Sequence, residues 1–481
     1  MTRLRALAPA LLGVLVALGQ APLGWWPVSL LGLAAWLLMP ATTPKQALRI
    51  GWLFGLGYFA VSLRWIVSPF LVDPAATGWM APFALVFMAA GAGLFWGGAR
   101  WIAKRLAPDS IAMVGLCLMG AEVARSLILT GFPWALLGHI WIDTPLAQAA
   151  AFGGPHLLTA ITVGLGLSVA ALWRKRAAGI GGPLLAAIAW VVLAPSAPLP
   201  NTGPMVRMVQ PNAKQIEKWD PDHAQTFFNR MIAFTGDGDV PDLVVWPETA
   251  ISYLLTYAEP ELQQAAFAAR GAPIVLGINR QEGARYYNAL LVVEDGGTVS
   301  EIYDKAHIVP FGEFIPGGEL LRKVGIDAFA ASTGGAFTAG NGAQTVNIEG
   351  IGQARPLICY EGIFAEEIST DERPRLMILI TNDAWFGASA GPKQHLAQAR
   401  LRAIEQGLPM VRVANTGISA MIDAKGRITA QIGMNEAGFL DAPLPLAADA
   451  TVYSRLGDIP VLVVLLLALT GCVARARRLS N

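Results

Sequence analysis

Arg355-Pro-Leu-Ile-Cys-Tyr-Glu-Gly-Ile-Phe364 reads as a short apolar strand that runs into Cys359 and breaks at Glu361-Gly362. A side chain at the end of a buried strand faces a cleft, which is where a nucleophile belongs. The chain has three cysteines, and the other two, Cys117 and Cys472, fall inside long apolar runs. Cys359 therefore has no disulfide partner in its own part of the chain. The alternative reading is a buried structural thiol, the common fate of a free cysteine.

Outward from this stretch, between about Pro204 and Leu446, short β-rich runs alternate with amphipathic segments. The pattern predicts strands over Met205 to Val209, Asp242 to Trp246, Pro273 to Ile278, Ala289 to Val293, Val299 to Tyr303, Arg355 to Cys359, Leu376 to Thr381, Met410 to Ala414 and Ser419 to Asp423. Helices are predicted near 221 to 235, 259 to 270 and 393 to 407. Strands interleaved with helices argue for a layered α/β domain.

The remainder of the chain is of a different kind. Hydrophobic residues make up 54% of the 481 and charged residues only 14%, which marks an integral membrane protein. Eight stretches are long and apolar enough to span a bilayer: 6 to 22, 24 to 40, 50 to 70, 79 to 98, 110 to 130, 150 to 173, 179 to 197 and 458 to 474. The first is not read as a cleaved signal peptide, because Ala21-Pro-Leu-Gly-Trp-Trp26 leads straight into the next apolar run; that second run is interrupted by Pro27. Three parts are expected: a membrane domain of seven spans over 1–203, a catalytic domain over 204–448, and a last span with a basic tail over 449–481. An Ala/Pro-rich link, Ala194 to Pro204, leads into the second.

Basic residues orient the spans. Arg3 and Arg5, Lys45 and Arg49, Arg100 with Lys104 and Arg105, Arg174 to Arg176, and Arg475 with Arg477 and Arg478 fall on alternate ends, whereas loops 71 to 78 and 131 to 149 carry no Lys or Arg. Both termini are thus expected in the cytoplasm and the α/β domain outside it. Arg64 and Arg125 sit towards the outer ends of their spans. Intramembrane charge is costly and usually functional, so a role in binding an anionic lipid headgroup competes with a structural pairing to Glu122, one helical turn before Arg125.

Three polar residues stand at the ends of apolar strands. Leu243-Val-Val-Trp-Pro-Glu248 delivers a carboxylate, Glu301-Ile-Tyr-Asp-Lys305 an amine and Pro356-Leu-Ile-Cys359 a thiol. In an α/β domain such ends converge. The five histidines form no Cys-His signature, so Glu248 is the candidate base for the thiol and Lys305 the candidate stabiliser of thiolate and oxyanion. Taken singly, Glu248 and Lys305 also read as ordinary solvated charges. No His/Cys/Asp cluster has metal-ligand spacing and no phosphate-cradling glycine loop occurs, so neither metal nor cofactor is expected; the net charge of +1 itself says nothing about nucleic acid, but the basic residues follow the topology and form no patch, so no nucleic-acid partner is expected.

Trp246-Pro-Glu248, Asp304-Lys-Ala-His-Ile-Val-Pro-Phe-Gly-Glu313 and Cys359-Tyr-Glu361 resemble the Glu-Lys-Cys triad motifs of the nitrilase superfamily. With the membrane spans, the whole chain resembles the apolipoprotein N-acyltransferase family. The resemblance implies a nitrilase-like αββα sandwich on the outer, periplasmic face of a bacterial inner membrane, with Glu248 as general base, Lys305 as charge stabiliser and Cys359 as nucleophile. It further implies supporting roles for Glu313, Glu361, Tyr360, Asn288 and Trp219. For Asn288 and Trp219, a turn amide and a core aromatic remain the alternatives. Thr381 in Thr381-Asn-Asp-Ala-Trp-Phe-Gly387 stands where a serine is expected. The implied reaction is ping-pong: a phospholipid, phosphatidylethanolamine by expectation, acylates Cys359, and the α-amine of a diacylated apolipoprotein takes the acyl chain. A membrane-tethered amidohydrolase, in which water resolves the thioester, is the alternative.

Overall fold

The structure, a computed structural model, describes residues 2–194, 203–316 and 337–480; most of the Ala194 to Pro204 link lies outside them. The chain forms two compact units, one comprising Met1–Ala197, Ser389–Glu405 and Ala450–Asn481, the other Pro198–Ala388 and Gln406–Asp449.

The first unit is helical. Its opening helices are α1 (Thr2–Ala17), α2 (Trp26–Leu37), α3 (Pro44–Ser62), α4 (Ala81–Leu106), α5 (Ile111–Leu127), α6 (Ala150–Trp173) and α7 (Gly181–Val192). Every one of the eight apolar stretches contains helix, but their lengths differ from expectation. Among the described residues four helical segments, Pro74–Leu106, Ile111–Thr130, Pro145–Trp173 and Ile459–Arg478, are long and apolar enough to cross a membrane. A fifth is a pair, Pro44–Ser62 and Arg64–Leu71, bent by 49°, and the apolar helices Ala6–Ala17, Trp26–Leu37 and Ala177–Val192 are shorter. Pro27 does not interrupt α2 but sits in its first turn, where a missing N–H costs nothing. Helices α3 and α4 pack through glycine: a Cβ on Gly55 would lie 2.7 Å from Gly93 Cα, so only hydrogen fits there.

The second unit is a two-sheet sandwich. Its strands are β1 (Met205–Gln210), β2 (Leu243–Val245), β3 (Ile251–Leu254), β4 (Ile274–Glu282), β5 (Arg285–Val293), β6 (Val299–Asp304), β7 (Val346–Ile348), β8 (Gly352–Ile358), β9 (Leu376–Thr381), β10 (Met410–Ala414), β11 (Ser419–Ile422), β12 (Ile428–Ile432) and β13 (Gly438–Pro443). One sheet runs β13-β1-β2-β4-β5-β6 with β3 beside β4, the other β12-β11-β10-β9-β8-β7. Alternation along each strand builds the core: Val206, Met208, Leu243, Val245, Val275, Leu290 and Val292 of the first sheet meet Ala354, Ile358, Ile378, Ile380, Val411 and Val413 of the second. The opposite face of the first sheet, with Val244, Trp246, Leu276 and Leu291, is covered by Phe228 and Met231 of α8 (Pro221–Gly236) and Leu262 and Ala265 of α9 (Glu259–Ala269).

All nine predicted strands are present, whereas β3, β7, β12 and β13 are additional. They are short or edge strands whose polar and Pro-containing sequences carry little periodic signal. Helix α10 (Ala390–Gln406), predicted inside the α/β domain, groups almost wholly with the helical unit. The reason is in its polar face: Gln394 accepts from Trp134 Nε1 at 2.7 Å and donates to Ser62 O at 3.1 Å, contacts no periodicity rule anticipates.

Candidate active site

Parallel strands β1, β2 and β4 and parallel strands β8, β9 and β10 form the middle of the two sheets. The ends of β2 and β8, with that of β6, carry the residues singled out from sequence. Glu248 follows β2 across Trp246-Pro247 and is buried. Its turn presses on β4 so closely that a Cβ at Gly277 would lie 2.7 Å from Glu248 Cα. Thr249, immediately after, takes a left-handed φ of +49°.

Both oxygens of Glu248 are engaged. Oε1 accepts from Asn288 Nδ2 at 2.7 Å and lies 3.8 Å from Lys305 Nζ; Oε2 accepts from the Asn382 backbone N–H at 2.7 Å. The carboxylate is thereby held in one orientation. Lys305, just after β6 and only 1% exposed, donates to Glu313 Oε1 at 2.8 Å. Glu313 Oε2 accepts from the Val309 N–H at 2.7 Å, closing the loop back on itself. Burial pulls the Lys305 amine down, but Glu313, Glu248 and Cys359 outweigh it and hold it well above its ordinary range, which favours the cation. Asn288 on β5 spans the two carboxylates, with Glu313 Oε1 at 3.4 Å, and is not a turn amide.

Cys359 sits at the end of β8 with a left-handed φ of +50°, an uncommon conformation for a side-chain-bearing residue and one that accumulates at functional sites. Burial pushes its thiol up, the Glu248 carboxylate adds to this, and Lys305 opposes it, so the resting sulfur is protonated. The thiol hydrogen-bonds the side chain of Thr381, whose hydroxyl donates to Asp383 Oδ1 at 2.9 Å; Asp383 in turn binds Arg412 at 2.6 Å.

Glu361 is buried two residues beyond the thiol. Its Oε1 accepts from Tyr303 OH at 2.7 Å and from the N–H groups of Ala306 at 2.7 Å and His307 at 3.2 Å, and its Oε2 accepts from the Ile358 N–H at 2.7 Å. One carboxylate thus ties the strand bearing Cys359 to the loop bearing Lys305. Tyr360 packs edge-on against His307 and Phe364, with ring centroids 5.4 and 5.0 Å away.

Two groups were not anticipated. The loop after β9 supplies the Asn382 N–H, a role invisible in a side-chain motif. Lys218, inside Glu217-Lys-Trp-Asp220, is 4% exposed and donates to the Glu248 carbonyl oxygen at 3.1 Å. Its neighbour Trp219, the residue sequence reasoning chose, is 44% exposed with its ring centroid 5.8 Å from Lys218 Nζ. In the helical unit, Arg125 donates to Glu122 Oε1 at 3.1 Å and to Trp134 O at 2.8 Å, and Glu122 also accepts from Trp96 Nε1 at 2.8 Å and the Leu137 N–H at 3.0 Å. Arg64 is exposed.

Taken together, a fixed carboxylate, a buried lysine paired to carboxylates and a strand-end thiol are suited to acyl transfer through sulfur. A family model described as carbon-nitrogen hydrolase matches residues 206–451, and one described as apolipoprotein N-acyltransferase N-terminal domain matches 12–168. The chain is 37% identical over 503 residues to an apolipoprotein N-acyltransferase of Caulobacter vibrioides, covering 98% of this chain and 94% of that one. It is 35% identical over 493 residues to an apolipoprotein N-acyltransferase of Sinorhizobium medicae, covering 94% and 93%. Among solved structures, a carbon-nitrogen hydrolase from Helicobacter pylori aligns with a TM-score of 0.40 and 16% identity over 55% of this chain and 94% of that one.

Proposed function

Because the chain belongs to the apolipoprotein N-acyltransferase family, we propose that it N-acylates apolipoproteins in two steps on Cys359, with a phospholipid, phosphatidylethanolamine foremost, as acyl donor. Glu248 takes the thiol proton, and sulfur attacks the ester carbonyl. Lys305 stabilises the oxyanion, and lysophospholipid leaves with the proton that Glu248 returns. The neutral α-amine of a diacylglyceryl-cysteine then attacks the thioester, its surplus proton passes to Glu248, the C–S bond breaks, and Glu248 returns that proton to the sulfur to restore the thiol. The observation that carries this reading is the fixing of Glu248 by Asn288 and Asn382 beside Lys305. A base that must act on a buried, protonated thiol has to be held ready. In the intact mass of the purified protein, phospholipid should add one acyl group that disappears on adding a diacylated lipopeptide. Loss of the acyl group at the same rate without lipopeptide would instead indicate hydrolysis.

The proposed orientation puts the catalytic unit in the periplasm and both termini in the cytoplasm, supported by the one-sided distribution of Lys and Arg. Reporter fusions check it. A reporter that works only in the cytoplasm should be silent after Ala194 and active at the C-terminus, and the reverse pattern would overturn the orientation.

Arg64 is the arginine proposed to meet a lipid headgroup, while Arg125 acts as structural partner of Glu122. Arg64→Gln should raise the apparent KM for phospholipid and leave thermal unfolding unchanged. Arg125→Gln should lower the unfolding midpoint, since stranding Glu122 as a buried charge costs on the order of 3 kcal/mol. Equal effects of the two on KM, with both proteins stable, would refute the division.

A further inference from the structure

Lys218 is a buried ammonium with a single hydrogen-bond acceptor among the described residues, the Glu248 carbonyl at 3.1 Å, for its three N–H donors. It lines a small cavity with Pro211, Pro247, Ala250, Ser252 and Asn415, so it flanks the Glu248 turn on the side of the segment following β1. Its own backbone is anchored there, for Lys218 O accepts from Ser252 Oγ at 3.1 Å. Burying an ammonium in this way is costly, and nothing in the stability of the turn demands a charge: a neutral donor would satisfy the same carbonyl. The charge itself therefore calls for an explanation.

Proton transfer supplies one. When Glu248 takes the proton of Cys359, the S–H bond breaks, an O–H bond forms, and the negative charge moves from carboxylate to sulfur while the total stays at one. The active form of the pair is thus the one holding a single proton; the doubly protonated pair has no base and is inert. Lys218 is close enough for whichever of Glu248 and Cys359 bears the negative charge to act on it, and burial draws it down to about 8 against that pull. The other charged groups facing the pair are Lys305, neutralised in part by Glu313, and Asp383, bound to Arg412.

We propose that Lys218 is a second active-site cation which, together with Lys305, keeps one negative charge on the Glu248–Cys359 pair, and which pins the main chain of Glu248. It is a positioning residue that acts through Glu248. The inference rests on Glu248 being the base for acylation.

The test uses the full-length protein in detergent with phosphatidylethanolamine vesicles, following thioester by intact mass across the pH range. Lys218→Gln keeps a donor for the Glu248 carbonyl but removes the charge, and Lys218→Arg keeps the charge. In Lys218→Gln the acid-side midpoint of the acylation rate should rise by about one pH unit, with the rate below it falling about tenfold. Lys218→Arg should retain the original midpoint whatever its absolute rate. An unshifted midpoint in Lys218→Gln, or an equal shift in both variants, overturns the proposal. A separate failure is recognisable: if Glu248→Gln acylates normally, the underlying reading is wrong, whereas an inert Glu248→Gln with no shift in Lys218→Gln sinks this inference alone.

Discussion

The Cys359→Ala protein is expected to gain no mass at all from phospholipid, under conditions where the unmodified protein carries one acyl group per chain. The other two thiols are not expected to substitute for it, because Cys117 and Cys472 belong to the helical unit and lie within its apolar stretches. The change removes a side chain that is buried but small, so the sandwich should stay folded and the loss should be one of chemistry. Acylation of Cys359→Ala at a stable site elsewhere would mean that the nucleophile has been misassigned.

Glu248→Gln is expected to slow thioester formation by roughly a hundredfold or more while leaving the thiol in place. The amide has nearly the shape of the carboxylate and can still accept from Asn288 or from the Asn382 N–H. What it cannot do is take a proton from a thiol that burial holds in its neutral form. Removing the carboxylate also relieves Cys359 of a neighbour that raises it, so a modest rise in iodoacetamide reactivity at alkaline pH should accompany the lost acylation. A Glu248→Gln protein that charges with acyl group at the unmodified rate would show that Glu248 is not the base.

Much of this architecture can be read from residues. Leu243 to Val245, Pro356 to Ile358 and Leu376 to Ile380 are buried from end to end, and continuous apolar runs of that kind announce central strands. Glu248 and Cys359 of the candidate site were legible near the ends of such runs, because a polar residue there has few places to go except the cleft, whereas Lys305 follows β6, which is only partly buried. The remainder depends on partners that are distant in sequence. Asn382 acts through its N–H, which no side chain advertises. Lys218 was passed over for its aromatic neighbour, since a lysine in a polar loop is ordinarily solvated, and only the fold of the segment after β1 buries it. The helical spans were legible in position but not in length, because proline and glycine end or bend several of them, as at Gly154-Pro155 within α6.

The carboxylate of Glu361 has a consequence for how the site comes apart. It receives the amides of Ile358, Ala306 and His307 and the Tyr303 hydroxyl, drawn from two chain segments some fifty residues apart, so pulling either segment away leaves part of a buried carboxyl group without partners. In hydrogen-exchange terms the three amides are expected to show similar protection despite their separation along the chain. The lysine loop and the nucleophile strand are then expected to loosen together, so that partial melting of this region should displace the thiol and its cation at once. A loss of activity in Glu361 variants would therefore be expected to report on that loosening before it reports on any step of the reaction.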